Sequence, residues 1–265
     1  VCATRKMPIS GRCGAPAASV ARRKTRIRQS PWDVPTFADS TIGDNIDGED
    51  LIVRRAAVEA LGGYNGSVVV VNASTGRVLS MVNQRLATGG AYQPCSTIKL
   101  PVAMGALIEG IIDRDTELRV SQKKRLNLTE ALARSDNPFF ASLGTKLGFD
   151  RFYQYARMFG LGERAGLDIP GEEPGLLPDS PKGFGVGLMS SYGEGIALTP
   201  LQLAALVSAL ANGGTLYYLQ YPRSLQEVME FTPKVKRAID IEPWLSEITP
   251  GMMAAVEYGT ARRAN

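Results

Sequence analysis

The sequence predicts an α+β protein in which one β-hairpin precedes a long helical region. Two β-branched apolar runs flank a short Asn/Ser/Gly turn within residues 66–83, a pattern typical of an antiparallel hairpin. Apolar residues then recur at helical spacing in most segments between residues 96 and 258. Strands and helices do not alternate regularly, so the pattern favours α+β over a parallel βαβ sheet.

The first part of the chain differs in composition from the rest. Residues 1–50 are rich in Pro, Gly, Ser, Arg and Asp without an apolar period, which predicts a tail and linker that is disordered in part. Eight of the 30 basic residues and no acidic residue lie in residues 1–30. Over residues 31–265, the other 22 basic residues stand against 26 acidic ones, so the chain after its basic tail is mildly acidic. This distribution excludes a nucleic-acid-binding domain.

Each element of the domain follows from a local pattern. Residues 68–71 are continuously apolar, which predicts a strand buried on both faces. Residues 96–110 form an apolar helix after Pro94, and Gly110 suits its end. Residues 160–197 are rich in Gly and Pro and are predicted as loop. Further helices are predicted at residues 51–61, 128–133, 138–147, 151–159, 200–212 and 250–258. Three of them have a proline in the first turn: Pro138, Pro200 and Pro250.

The chain of 265 residues contains no histidine. Ser-His-Asp and Cys-His catalysis are therefore excluded, as are zinc sites built on histidine. Cys2, Cys13 and Cys95 fit neither a disulfide framework nor a zinc site, and we expect neither a metal nor a cofactor. A catalytic base in this chain must be Lys, Asp, Glu or Tyr.

The sequence has no apolar run of 18 residues and no signal-peptide pattern after its basic tail. The chain begins with Val1. We therefore expect a preceding segment, and a membrane anchor upstream of this chain is possible.

Ser96-Thr-Ile-Lys99 opens the predicted helix after Pro94. Serine and lysine at i and i+3 share one helix face, and a buried, neutral lysine can take the proton of a serine hydroxyl. The alternative is that Ser96 only caps a helix. A second match at residues 121–124 lies in a polar stretch where its lysines would be solvated, and we interpret it as accidental.

Ser135-Asp-Asn137 follows 39 residues after Ser96, at the start of a predicted helix. A hydroxyl beside the first Ser/Lys pair could relay a proton, and an amide offers donors and an acceptor to a substrate peptide and to the lysine. The alternative is an N-cap formed by Ser135 or Asp136.

These two motifs, in this order, resemble the signature of penicillin-binding proteins and class A β-lactamases. The resemblance extends over residues 51–265. The stretches that carry it are residues 66–82, 92–99, 191–204, 211–216 and 252–261. It implies a β-lactamase/transpeptidase-like fold with an antiparallel sheet and a large helical region.

The resemblance also implies a function and a set of roles. Ser96 would attack a D-Ala-D-Ala stem peptide to form an acyl-enzyme, with Lys99 as base and the Ser96 N–H as one oxyanion donor. Ser135 and Asn137 would position the lysine and shuttle a proton. The implied partners are peptidoglycan stem peptides, β-lactam antibiotics and cell-wall assembly proteins, and the implied location is the outer face of the cytoplasmic membrane.

The chain departs from the family pattern in two ways. The Lys-Thr-Gly motif is absent, and we expect it to follow Asn265 in an incomplete domain whose C-terminal strands are missing. The chain as given is therefore expected to be weakly stable and poorly active. Cys95 stands where the family has a small residue, and the sequence offers no reason for it.

Two other functions stay open. A serine β-lactamase needs a carboxylate for deacylation, and Glu172 and Glu173 are the candidates. A non-catalytic or sensor-type penicillin-binding module would explain the missing motif.

Overall fold

The structure is a computed structural model that describes residues 34–264. All elements below belong to one compact unit that begins at Thr36. No helix within residues 34–264 has both the length and the apolar character needed to cross a bilayer.

The unit begins with a helix and the predicted hairpin. Helix α1 (Leu51–Leu61) starts where the Asp50 carboxylate accepts hydrogen bonds from two backbone N–H groups of the first turn. Strands β1 (Val68–Asn72) and β2 (Arg77–Val82) pair antiparallel, which confirms the hairpin. The expectation that residues 68–71 are buried on both faces is wrong, because they are half-buried and β2 holds the buried side chains. Strand β1 pairs only with β2 among the described residues, so its other edge is open.

The remaining elements are mostly helical, as the sequence predicts for an α+β protein. They are α2 (Gln84–Gly89), α3 (Lys99–Ile108), β3 (Leu118–Arg119), β4 (Arg125–Leu126), α4 (Leu128–Ala133), α5 (Asn137–Leu147), α6 (Phe149–Met158), α7 (Gly185–Tyr192), α8 (Pro200–Ala211), β5 (Thr215–Tyr217), α9 (Leu225–Met229), β6 (Val235–Ala238) and α10 (Glu242–Glu257). The strands form three antiparallel two-stranded sheets within the described residues.

Two predicted elements are wrong in detail. The segment 160–197 is not all loop, because it contains α7, whose first turn includes two glycines that conceal its helical period. The helix predicted from Pro250 begins earlier, at Glu242, and Pro250 lies inside it. Helix α10 continues through this proline because its buried side packs against α4, and that packing offsets the lost hydrogen bond.

Helix α3 lies at the centre of the unit. Eight of its ten residues are buried, and α5, α6, α7 and α10 pack around it. The predicted helix at residues 96–110 is confirmed in its main part, although its first turn is a 3₁₀ turn (Cys95–Ile98). Lys99, the first residue of this central helix, is therefore held in the protein interior.

The segment before α1 packs against the hairpin. Arg54 of α1 is buried and forms ion pairs with Asp44 at 2.7 Å and Glu49 at 3.4 Å. Glu49 also accepts hydrogen bonds from Ser80 at 2.8 Å and from Tyr221 at 2.8 Å. The predicted domain boundary at residue 50 stays a prediction, and the part of residues 1–50 before residue 34 lies outside the described residues.

Candidate active site

The segment that carries Ser96 is held from both sides. Tyr92 exchanges backbone hydrogen bonds of 2.9 and 2.7 Å with Leu198, just before α8. Pro94 packs against the end of α7, where an added Cβ on Gly193 would lie 2.5 Å from the proline ring. Gly193 has φ +76, which ends α7 in the left-handed region and brings its backbone close to Pro94.

Ser96 and Lys99 lie one turn apart where the 3₁₀ turn becomes α3. Lys99 Nζ is 3.0 Å from Ser96 Oγ. Ser96 is exposed, whereas Lys99 is 1% exposed. The pair therefore combines a hydroxyl that a ligand can reach with an amine that water barely reaches.

The second motif meets the same amine from the opposite side. Helix α4 ends at Ala133, and the chain turns through Ser135 into α5, whose N-cap is Asp136. Lys99 Nζ lies 2.8 Å from both the hydroxyl and the carbonyl oxygen of Ser135, and 2.7 Å from Oδ1 of Asn137. Ser135 Oγ donates to Ser96 Oγ at 2.7 Å. All four predicted site residues are thus brought together.

Two non-glycine residues of this arrangement have left-handed backbone. Cys95 and Ser135 both have φ +51. This conformation costs about 1–2 kcal/mol per residue for an L-amino acid, and such strain is concentrated at functional sites. The exposed thiol of Cys95 is next to the Ser96 hydroxyl in the chain.

Burial lowers the pKa of Lys99 to about 8, while the charges of Asp136 and Cys95 oppose this shift. The Phe140 ring, 5.6 Å from Nζ, adds an apolar wall that also favours a cation. With a pKa of about 8, about a tenth of the amine is uncharged at pH 7, far more than for an exposed lysine.

Four oxygen atoms surround Lys99 Nζ, and the ammonium form can donate to three of them. The uncharged amine keeps two donors and gains a lone pair. The carbonyl of Ser135 and Oδ1 of Asn137 can only accept. A neutral amine can donate to both of these oxygens and accept the proton of Ser96 with its lone pair.

Two residues that the sequence analysis did not assign to the site also shape it. Asp136 accepts the N–H of Phe139 at 2.9 Å, so the N-cap of α5 is Asp136 and the hydroxyl of Ser135 stays free for the site. Gly193 positions Pro94. Gly193 lies in one of the stretches that carry the family resemblance. Its role in positioning Pro94 is evident only from the close contact between the two residues in the structure.

The other candidate groups lie elsewhere. The Glu172 carboxylate is buried and accepts the backbone N–H groups of Ala165 at 2.6 Å and Gly166 at 3.0 Å, and burial raises its pKa. Among residues 34–264, Ser96 Oγ has only Lys99 and Ser135 as side-chain hydrogen-bond partners. That part of the chain also contains no cluster of Cys, Asp and Glu that could hold a metal ion.

Comparison with known proteins identifies the class to which this fold and motif order belong. The family described as penicillin binding protein transpeptidase domain matches residues 66–265. Because the match spans more than half of the sequence, the chain belongs to this family.

Several relatives define the resemblance more closely. Stage V sporulation protein D of Bacillus subtilis (strain 168) is 31% identical in an alignment 209 positions long that covers 70% of this chain and 32% of that protein. Peptidoglycan D,D-transpeptidase MrdA of Escherichia coli (strain K12) is 26% identical in an alignment 317 positions long that covers 97% of this chain and 49% of that protein. The chain therefore spans between a third and a half of the length of these relatives.

A solved structure is similar over most of the unit. It is the crystal structure of Pseudomonas aeruginosa PBP2 in complex with WCK 5153, with a TM-score of 0.68, 25% identity, and coverage of 82% of this chain and 63% of that chain. The predicted transpeptidase-like α+β fold is confirmed.

Proposed function

We propose that Ser96 is the nucleophile of a peptidoglycan D,D-transpeptidase, which forms an acyl-enzyme with peptides that end in D-Ala-D-Ala. One observation carries the proposal. The buried amine of Lys99 contacts the hydroxyls of both Ser96, at 3.0 Å, and Ser135, at 2.8 Å. An uncharged amine in this position can take the proton of the nucleophile and pass a proton to a leaving group.

Acylation proceeds through groups that are already in place. Neutral Lys99 takes the Ser96 proton as Oγ bonds to the carbonyl carbon of the penultimate D-Ala. The backbone N–H of Ser96 lies at the start of the 3₁₀ turn (Cys95–Ile98), where backbone N–H groups lack an intrahelical partner. This N–H donates to the developing oxyanion. The C–N bond then breaks, and Ser135 passes the proton from Lys99 to the departing D-Ala nitrogen.

Cross-linking reverses these transfers with a different amine. The amine of a second peptide attacks the Ser96 ester, and its proton returns through Ser135 and Lys99 to Ser96 Oγ. Asn137 holds Lys99 through Oδ1, which leaves its NH₂ group for a substrate carbonyl. A β-lactam acylates Ser96 in the same way, but its nitrogen stays attached after ring opening, so the adduct persists.

Membership of the family supports the biological setting. We assign the substrate to peptidoglycan stem peptides and the location to the outer face of the cytoplasmic membrane, where that substrate is. Cell-wall assembly proteins are the expected macromolecular partners. The chain covers 32% and 49% of the two relatives named above, so these assignments are carried over from longer proteins.

The test is covalent labelling of the full-length protein by a fluorescent penicillin, followed by mass spectrometry of the labelled peptide. We expect one adduct on Ser96, none in Ser96→Ala, and an unchanged adduct in Ser121→Ala, the matched control from the accidental Ser-x-x-Lys. Absence of an adduct from the folded wild-type protein would contradict the proposal.

A second assay separates the transpeptidase from its alternatives. A D-Ala-D-Ala peptide is incubated with a labelled D-amino acid, and exchange into the peptide is measured. Exchange supports the transpeptidase. A stable penicillin adduct without exchange would indicate a sensor-type module, and rapid hydrolysis of penicillin would indicate a β-lactamase.

A further inference from the structure

The short hairpin between α3 and α4 has one apolar face and one basic face. Its paired residues are Leu118 with Leu126 and Arg119 with Arg125. Leu126 is buried and Leu118 packs against the core, while both arginines are exposed. The hairpin is therefore anchored to the domain by its leucines, and its arginines face solvent.

The turn of this hairpin adds two more positive charges. Lys123 and Lys124 are both exposed, and with the two arginines they give residues 118–126 four basic groups and no acidic one. Over the unit that begins at Thr36, 25 acidic residues stand against 22 basic ones, so a nine-residue segment with four basic residues and no acidic one is locally distinct. We call Arg119, Lys123, Lys124 and Arg125 the basic hairpin face.

Only half of these charges are balanced. Lys124 pairs with Asp136 at 3.7 Å, and Arg125 pairs with Glu117 at 3.2 Å. Arg119 and Lys123 form no ion pair within residues 34–264. Like charges directly opposite each other on paired strands destabilise a hairpin, and an anion between Arg119 and Arg125 would remove that cost.

The basic hairpin face lies at the edge of the candidate active site. Lys124 reaches Asp136, which stands between Ser135 and Asn137 in the chain. Ser135 in turn contacts Ser96 at 2.7 Å. Lys123 and Arg125 flank Lys124 in the chain and Arg119 pairs with Arg125, so all four cations belong to one short hairpin that contacts the Ser135–Asn137 segment.

We propose that the basic hairpin face binds an acidic side chain of the peptide substrate, beside the bond that reacts. The reacting end of the peptide is taken from the proposed function, and the new element is recognition of a second carboxylate away from that end. Guanidinium groups bind carboxylates in bidentate geometry, and exposed ammonium groups add non-directional attraction.

The test measures the binding of two fluorescent pentapeptides that both end in D-Ala-D-Ala. They are identical except at one position, where one peptide has glutamate and the other has glutamine. The protein is the full-length Ser96→Ala variant, so that turnover does not interfere. We expect the glutamate peptide to bind about twofold to fivefold more tightly at 0.01 M salt. The preference should vanish at 1 M salt, where the screening length falls to about 3 Å.

Substitutions identify the residues that cause the preference for the glutamate peptide. Replacing the two unpaired cations, Arg119→Gln with Lys123→Gln, should reduce the preference to about one. Charge-conserving Arg119→Lys with Lys123→Arg should keep most of it. Lys146→Gln with Lys234→Gln removes the same net charge at two other exposed lysines and should leave the preference unchanged.

The outcomes separate this inference from the proposed function. No preference in the parent variant overturns the inference, as does an equal loss in the hairpin and control pairs. Failure of penicillin to label wild-type Ser96 would overturn the proposed function, but it would not alter the binding comparison. Equal weakening of both peptides by the hairpin variants would show a structural role and would also overturn the inference.

Discussion

Lys99 Nζ lies 2.7 Å from Oδ1 of Asn137, although the two residues are 38 positions apart in the chain. The contact joins the first residue of the central helix α3 to the first turn of α5, so helix packing fixes it. Because Asn137 is neutral, it accepts a hydrogen bond from Lys99 without adding a negative charge. The protonation of Lys99 is therefore governed mainly by burial, and this leads to the first two predictions.

The rate of acylation should rise with pH. Lys99 acts as a base only when uncharged, and its pKa is about 8. Below that value the uncharged fraction falls about tenfold per pH unit, and above it the rate should level off. We expect the rate constant for penicillin acylation to rise from pH 6 with a midpoint near 8, as measured by stopped-flow or quenched labelling.

The control for this profile is Lys99→Arg. Arginine stays charged at all accessible pH values, so this variant should not be labelled at any pH. A rate for the wild-type protein that stays constant between pH 6 and 9 would contradict the role of Lys99 as base.

Asn137→Asp should move the same profile to higher pH. A carboxylate about 3 Å from Nζ favours the ammonium form and raises the pKa of Lys99 by about one unit or more. At pH 7.5 we then expect acylation to slow by about tenfold, with recovery at higher pH. Asn72→Asp, an equal charge change at the exposed last residue of β1, should leave the midpoint unchanged. A slower rate with the original midpoint would show that Asn137 does not control the lysine.

Two substitutions of Ser135 should distinguish the role of its hydroxyl from the strain of its backbone conformation. Ser135→Ala and Ser135→Gly both remove the Oγ that contacts Ser96 and Lys99, and loss of a proton relay costs about 10²–10⁴ in rate. Glycine also accepts φ +51 without strain, so we expect Ser135→Gly to be at least as stable as Ser135→Ala in thermal unfolding. Nearly full acylation in either variant would exclude the relay.

The site was predictable because its chemistry depends on short, ordered motifs. With no histidine, a base other than imidazole was required, and the order of Ser96, Lys99, Ser135 and Asn137 indicated the family. The distances could not be predicted, since they depend on how α3 meets α5. The left-handed backbone of Ser135 was equally hidden, because local sequence does not mark a serine for that conformation.

The fold was predictable where local signals agree with packing. Helix α1 matches its predicted bounds because its apolar period and the Asp50 cap coincide. Helix α7 was missed because glycines obscure its period, and the start of α10 was misplaced because Pro250 resembles a first-turn proline. The burial of Glu49 in a polar segment depends on Ser80 and Tyr221, tertiary partners that composition cannot reveal.

Arg54→Leu should destabilise the protein strongly. The substitution leaves the carboxylates of Asp44 and Glu49 buried without their cation, and breaking such a buried pair costs about 3–5 kcal/mol. The free energy of unfolding from urea titration should fall by that amount. Arg55→Leu, next to it on the exposed side of α1, should change it by less than about 0.5 kcal/mol. Equal effects of the two variants would mean that the buried cluster contributes nothing specific.

Gly193→Ala should impair acylation as well as stability, and Gly110→Ala provides a matched control. Both glycines follow a helix with positive φ, +76 and +63, so both substitutions incur the left-handed cost of about 1–2 kcal/mol. Only at Gly193 would the new Cβ meet another group, the ring of Pro94 at 2.5 Å, whereas nothing lies within 4 Å of a Cβ at Gly110.

Pro94 can relieve this overlap only by shifting, and the shift would be transmitted through Cys95 to Ser96 because they are consecutive. A displacement of about 1 Å at a reacting atom can lower a rate about 100-fold. We therefore expect both variants to lose comparable thermal stability from backbone strain, with an added loss for Gly193→Ala. Only Gly193→Ala should lose penicillin acylation when both are assayed well below their unfolding temperatures. If both variants acylate at the wild-type rate, the packing of α7 against Pro94 does not determine the position of the nucleophile.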